Sequence, residues 1–180
     1  MDLEALNRGT ASLDALNLGL LLLRLVVGFV ILAHGWNHLK AVRAGPGIAN
    51  WFESLGVRPG RIHAWMVTST ELAGGAALMA GLFSAFAAGG TCALMVVAFM
   101  TNHRRHGFFI FRPGEGYEYV MTLGVVAIAM GALGAGDWSL DHAFGIVVDG
   151  WNGLAASAGL GLGGGAAFLA AFWRPPAPAA

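Results

Sequence analysis

Charge is scarce in this chain, and that scarcity decides the class of protein. Only 11% of its 180 residues are Asp, Glu, Lys or Arg, while 57% are hydrophobic; soluble domains carry roughly 25% charged residues. The composition is that of an integral membrane protein. A formal net charge of zero argues against nucleic-acid binding and against a strongly polybasic membrane-surface protein. Cysteine is nearly absent: Cys92 stands alone, so no internal disulfide can form, and its apolar run makes it a packing residue. No CxxC, GxSxG, HExxH or phosphate-binding glycine motif occurs, and with them goes any recognisable soluble catalytic module. A cleavable signal peptide is not expected. The first fifteen residues set Asp2, Glu4 and Asp14 against Arg8 alone, the wrong flank for a basic n-region.

What the chain has instead is long apolar runs. Five are long enough to cross a bilayer core, which takes about twenty residues of helix: roughly 16–36, 64–83, 85–102, 118–136 and 153–173. The expected fold is an all-α transmembrane helical bundle. Only Phe83-Ser84-Ala85 separates the second run from the third, which predicts a tight helical hairpin. The fifth is rich in glycine (Gly159, Gly161, Gly163, Gly164, Gly165), a residue common where membrane helices approach closely. Between the first two runs, Gly45-Pro46-Gly47 opens Ile48–Leu55, and Gly56 and Pro59 close it. This predicts a short amphipathic helix on the membrane surface. Three regions result: a short amino-terminal segment 1–15, a membrane domain 16–145, and a carboxyl-terminal part 146–180 that adds the fifth span and a Pro/Ala tail.

The basic residues set an expected orientation. Lys40, Arg43, Arg58 and Arg61 follow the first run, Arg104, Arg105 and Arg112 the third, and Arg174 the fifth; the opposite side carries Arg8 with most of the acids. The positive-inside bias then places the amino terminus outside and the carboxyl terminus in the cytoplasm. Residues 103–116 mix basic and aromatic side chains. They read either as a loop packed against headgroups or as a lid over a site at the cytoplasmic mouth.

Several polar residues interrupt the apolar runs. Arg24 lies within the first, where an unpaired guanidinium costs about 2.5–3.5 kcal/mol on insertion scales. Its expected partner is Glu71 in the second, with Glu118 a second carboxylate at the start of the fourth. His34, His38 and His103 fall towards the same cytoplasmic half. Together Arg24, His34, His38, Glu71, His103 and Glu118 form the candidate ligand-binding set, with a plain ion pair that fixes helix register as the structural alternative. His34 and His38 have the i, i+4 spacing of metal or haem ligands; a lone HxxxH is weak support, so neither is expected.

These motifs, taken in order, resemble the DoxX family of small bacterial membrane proteins. The resemblance rests on Leu23-Arg24-Leu25-Val26-Val27-Gly28, His34-Gly35-Trp36-Asn37-His38-Leu39, Trp51-Phe52-Glu53-Ser54-Leu55-Gly56, Glu71-Leu72-Ala73-Gly74-Gly75, Gly116-Tyr117-Glu118-Tyr119 and Gly136-Asp137-Trp138-Ser139-Leu140-Asp141. It covers about residues 18 to 145. It implies a four-helix membrane bundle in the bacterial cytoplasmic membrane with a quinone-linked or thiol-redox role, hence a quinone-like ligand. The chain departs from the family by its fifth span and by His38 at a position where lysine is common. Three functions are open on this reading: an accessory subunit of a quinone-linked membrane oxidoreductase, a non-catalytic anchor or assembly subunit, and a small transporter that would need to oligomerise. The expected partners are membrane lipid and another protein or further copies of the chain.

Overall fold

Glycine and proline mark almost every place where the backbone changes direction. In the computed structural model, which describes residues 3–175, Gly45-Pro46 ends α1 (Leu3–Ala44) and opens α2 (Gly47–Ser54). Pro59 precedes α3 (Gly60–Ala80), and Gly81, in the left-handed region at φ 67°, closes it. α4 (Ser84–Thr101) follows after only three residues, the expected hairpin. A 3₁₀ turn at His103–Arg105 leads into a loop, then come α5 (Glu118–Leu133), a single-turn α6 (Leu140–Phe144) and α7 (Gly150–Phe172). α7 widens to a π-helix over Gly159–Gly164. The bundle is all-α, as composition and the length of the apolar runs predict. α1 is continuous from Leu3 through the segment set apart as 1–15; residues 1–2 and the Ala/Pro tail 176–180 lie outside the described residues.

Among the described residues, three helices are long and apolar enough to cross a membrane: Ala11–Ala44 within α1, Ser84–Thr101 and Gly150–Phe172. α5 is apolar but only 16 residues long. α3 has 21 residues, but Arg61, His63, Thr68, Ser69, Thr70 and Glu71 lower its hydropathy. The polar stretch of α3 is therefore acceptable only where other helices cover it.

Small residues set the packing. Lipid tails are as apolar as leucine, so membrane helices associate through close contact rather than water exclusion. α1 packs along α3, and a Cβ on Gly75 would come within 2.6 Å of the Leu32 backbone nitrogen. The Gly74-Gly75 pair thus supplies the predicted close helix contact through Gly75, while Gly74 faces open space. α4 occupies the middle, touching α3, α5 and α7. Val27, Ile31, Leu78, Ala88, Cys92, Ala127 and Met130 form the buried core. Cys92 packs directly against Gly161 of α7, the structural role its surroundings suggested.

The two ends of the bundle are closed differently. At one end α6 and its flanking loop cover the α3–α4 turn. At the other, α2 lies across the bundle with Phe52 buried against Val57 and Ala64. There the end of α7 is tied down: Arg58 N–H donates to Phe172 O at 3.2 Å, Arg174 N–H to Gly56 O at 2.8 Å, and the Trp173 indole to Leu55 O at 2.9 Å. All lysines and arginines except Arg8 and Arg24 belong to this α2 end or its connections.

Candidate functional site

The candidate polar residues fall into two separate centres among the described residues, not one. Arg24, 2% exposed, donates through Nη2 to Trp138 O at 2.6 Å and through Nη1 to Met79 O at 3.3 Å and Leu78 O at 3.4 Å. Leu78 and Met79 are among the last residues of α3, whose terminal carbonyls have no partner within the helix. The guanidinium supplies a partner for Met79 O, joins the Gly81 N–H on Leu78 O, and ties α3 and the loop after α5 to α1. Gly81 is required beside it, since a Cβ there would collide with the guanidinium.

The expected pairing of Arg24 with Glu71 is therefore corrected. α1 and α3 run antiparallel, so Arg24 meets residues 78–79. Those lie seven or eight positions beyond Glu71, about 11 Å along the axis at 1.5 Å per residue. The same end is joined by the 136–141 motif. Asn17 Nδ2 donates to Asp137 Oδ2 at 2.9 Å and its amide oxygen accepts from Asp137 N–H at 2.8 Å. Asp141, 3% exposed, accepts from Phe83 N–H at 2.6 Å and Ser84 N–H at 2.8 Å, capping α4. Each of these groups serves backbone or another side chain; together they make a structural joint.

The second centre faces a cavity of about 500 Å³ towards the α2 end. α3 and α4 leave their hairpin in contact, and a Cβ on Gly90 would lie 3.9 Å from Thr70 Cγ2. Beyond that level Met66, Val67, Ala93, Val97 and Ala98 line open space, closed above by Trp51 and Phe52 of α2 and by Leu55 just after it. Into this apolar space projects Glu71, 6% exposed, with Oε2 2.6 Å from His38 Nδ1. An imidazole and a carboxyl in such contact hold a proton between them and can pass it to a neighbouring group.

The remaining candidates are placed around this pair. His34, one turn before His38, points its Nε2 at the Tyr119 hydroxyl across 3.3 Å, with the rings stacked at 6.0 Å. His103 also lines the cavity, its Nδ1 2.8 Å from Glu115 O. Glu118 does not line it; its carboxylate accepts from Ile110 N–H at 3.1 Å and braces the 106–117 loop. So His34, His38, Glu71 and His103 share one cavity, while Arg24 and Glu118 have structural partners elsewhere. Tyr119 is the residue the sequence reading passed over, although it directly follows Glu118 in a quoted motif. Nothing local distinguishes a cavity-facing tyrosine from an interfacial one.

Beside this cavity lies a smaller one of about 290 Å³ that shares Leu55, Thr101 and Asn102 with it and adds Ser54, Arg105, His106 and Trp173. It is a polar vestibule at the basic end. The 103–116 segment thus contributes walls, through His103 and Glu115, and also an exposed tip, Phe108-Phe109-Ile110-Phe111, with Phe111 80% exposed. Among the described residues, no group of three or more His, Cys, Asp or Glu side chains is arranged to hold a metal ion.

Apolar helices of bilayer length, joined by close small-residue contacts and enclosing polar side chains, define a polytopic α-helical membrane protein. Residues 19–104, which run from α1 through α4 and into the turn after it, match the family model described as DoxX. The DoxX match takes in the motifs from Leu23 to Gly75, while those at 116–119 and 136–141 lie beyond it. No curated protein and no solved structure matches it.

Proposed function

We propose that this membrane protein binds a small lipid-soluble ligand of the quinone type in the cavity beneath α2, as an accessory subunit of a membrane redox complex. The observation that carries the reading is the His38–Glu71 pair, part-buried and in contact at 2.6 Å, in a predominantly apolar cavity of about 500 Å³. Ligand sites are commonly of this kind, an apolar concavity with few, well-placed polar groups. A quinone becomes a quinol by taking up two electrons and two protons. The His38–Glu71 pair offers hydrogen bonds to a ring carbonyl and a route for a proton, with the vestibule by Arg105 and His106 as the water-side approach. The electrons come from a partner protein. The concentration of Lys and Arg at the α2 end supports a cytoplasmic position for that end and an external amino terminus, in a bacterial cytoplasmic membrane.

The test is binding of a tailless dimethoxy-methyl benzoquinone to the protein in lipid nanodiscs, read by tryptophan fluorescence quenching. Saturable binding is expected. Glu71→Gln should weaken it about tenfold, the value of one charge-assisted hydrogen bond. Ala98→Phe, which fills the cavity, should abolish it. No saturable binding to the wild type, or binding indifferent to both changes, overturns the reading. A non-catalytic assembly role is the second reading, favoured by the exposed aromatic tip at Phe108–Phe111.

A further inference from the structure

The cavity is longer than a ring-sized headgroup needs. Besides the space around His38 and Glu71 it has an apolar arm between α3 and α7, bordered by Met66 and Thr70 on one side and by Leu160, Gly164 and Phe168 on the other, with Leu94 on α4 behind. α7 packs on α4 and α5 and makes little contact with α3. The two helices meet at the α2 end, where His63 packs against Phe168 and Phe172 with ring centroids 5.0 and 4.6 Å apart. Further along, Thr70 stands near Gly90 while Leu160 packs against Gly89, so both border helices rest on α4 at that level. What lies between is a window with closed ends. From Leu160 to Phe168 it runs eight residues, about 12 Å along the helix.

The window faces the bilayer. Met66 and Leu160 on its rims are 41% and 43% exposed, and α7 is of membrane-crossing length and composition. Its α7 rim is the glycine-rich π-helical turn and the residue after it, where Gly164 and Gly165 add no side chain to the space. π-helical turns inside α-helices occur often at functional sites. Here the absence of side chains keeps the arm open.

We infer that the ligand carries a hydrocarbon tail: its polar head sits at His38–Glu71 and its tail leaves the protein through the α3–α7 window into the lipid. This rests on the reading of the cavity as a ligand site and adds the class of molecule, a polar-headed lipid-soluble compound with an extended chain. The head then reaches its site from the membrane, and the vestibule is left free for water and protons.

The experiment compares two probes on the protein in nanodiscs: the tailless dimethoxy-methyl benzoquinone and its decyl-substituted counterpart. Gly164→Leu places a side chain in the window, and its Cβ would have ordinary contact with Leu160 Cδ1 at 3.5 Å. Gly163→Leu makes the same chemical change one residue earlier, where a Cβ meets nothing within 4 Å. Gly164→Leu is expected to weaken the decyl probe about tenfold, as loss of burial of about two methylenes would, and to leave the tailless probe unchanged. Gly163→Leu should change neither. Equal effects of Gly164→Leu on both probes, or none on either, overturn the tail assignment and leave the headgroup site standing. Failure of both probes to bind the wild type overturns the headgroup reading and this one with it.

Discussion

The bundle buries polar side chains at two levels, and the two groups are engaged in opposite ways. At the α6 end, Arg24, Asp141 and Asn17 direct their hydrogen bonds to backbone groups of neighbouring segments and to Asp137, while the buried Arg24 Nε has no partner among the described residues. At the α2 end, His38 pairs with Glu71 and His34 with Tyr119, and all four side chains border open space. In a membrane both arrangements are costly to leave unpaired. The difference lies in what would notice their removal: other parts of the fold in the first case, an incoming molecule in the second. Burial of a charged group is thus a poor guide to function, and the nature of its partners is a better one.

That contrast can be broken by experiment. Asp141→Ala should have the largest effect, because it strands the buried N–H of Ser84 and the part-buried N–H of Phe83 at the α3–α4 turn. A loss of about 3–5 kcal/mol is expected, seen as a large drop in the melting temperature of the detergent-solubilised protein. Arg24→Met should come next, at about 2–3 kcal/mol, since it frees the carbonyls of Met79 and Trp138, while Leu78 O keeps the Gly81 N–H. Protein that remains folded should bind the benzoquinone as the wild type does; a weakened affinity would mean that the two centres act as one. Glu71→Gln should do the reverse, shifting stability by less than about 1 kcal/mol while lowering affinity. Smallest of all, Phe111→Ser on the exposed loop tip should leave melting within about 0.5 kcal/mol. If it instead removes a co-purifying protein from the membrane extract, the assembly role gains over ligand binding.

The joint at the α6 end also shows where sequence reading lost its way. Arg24 and Glu71 are both intramembrane ionisable residues on adjacent helices, so pairing them is the natural expectation. Successive residues of a helix are turned by about 100° from one another, and pairing also depends on how far the two helices are slid along each other. Gly28 against Gly75, and Gly35 against Glu71 and Leu72, fix that offset, and it puts Arg24 opposite the end of α3. His38 then arrives at Glu71 instead. The relevant histidine was already in the candidate set; its partner was not predictable from span positions. The role of the 136–141 motif was hidden in the same way, because Asp141 acts 57 and 58 residues away from the backbone groups that it caps.

The chain by itself determined the membrane class, the all-α fold, the α3–α4 hairpin, the short helix α2 and the polar residues worth attention. These follow from local composition and from the amount of apolar length a bilayer demands. Only the tertiary structure decided which polar residues meet, that Arg24 is a joint, and that an apolar cavity opens around Glu71 and His38. Rotation and offset of helices come from side-chain fit across the whole bundle, summed over contacts distant in sequence, and no single segment carries that information.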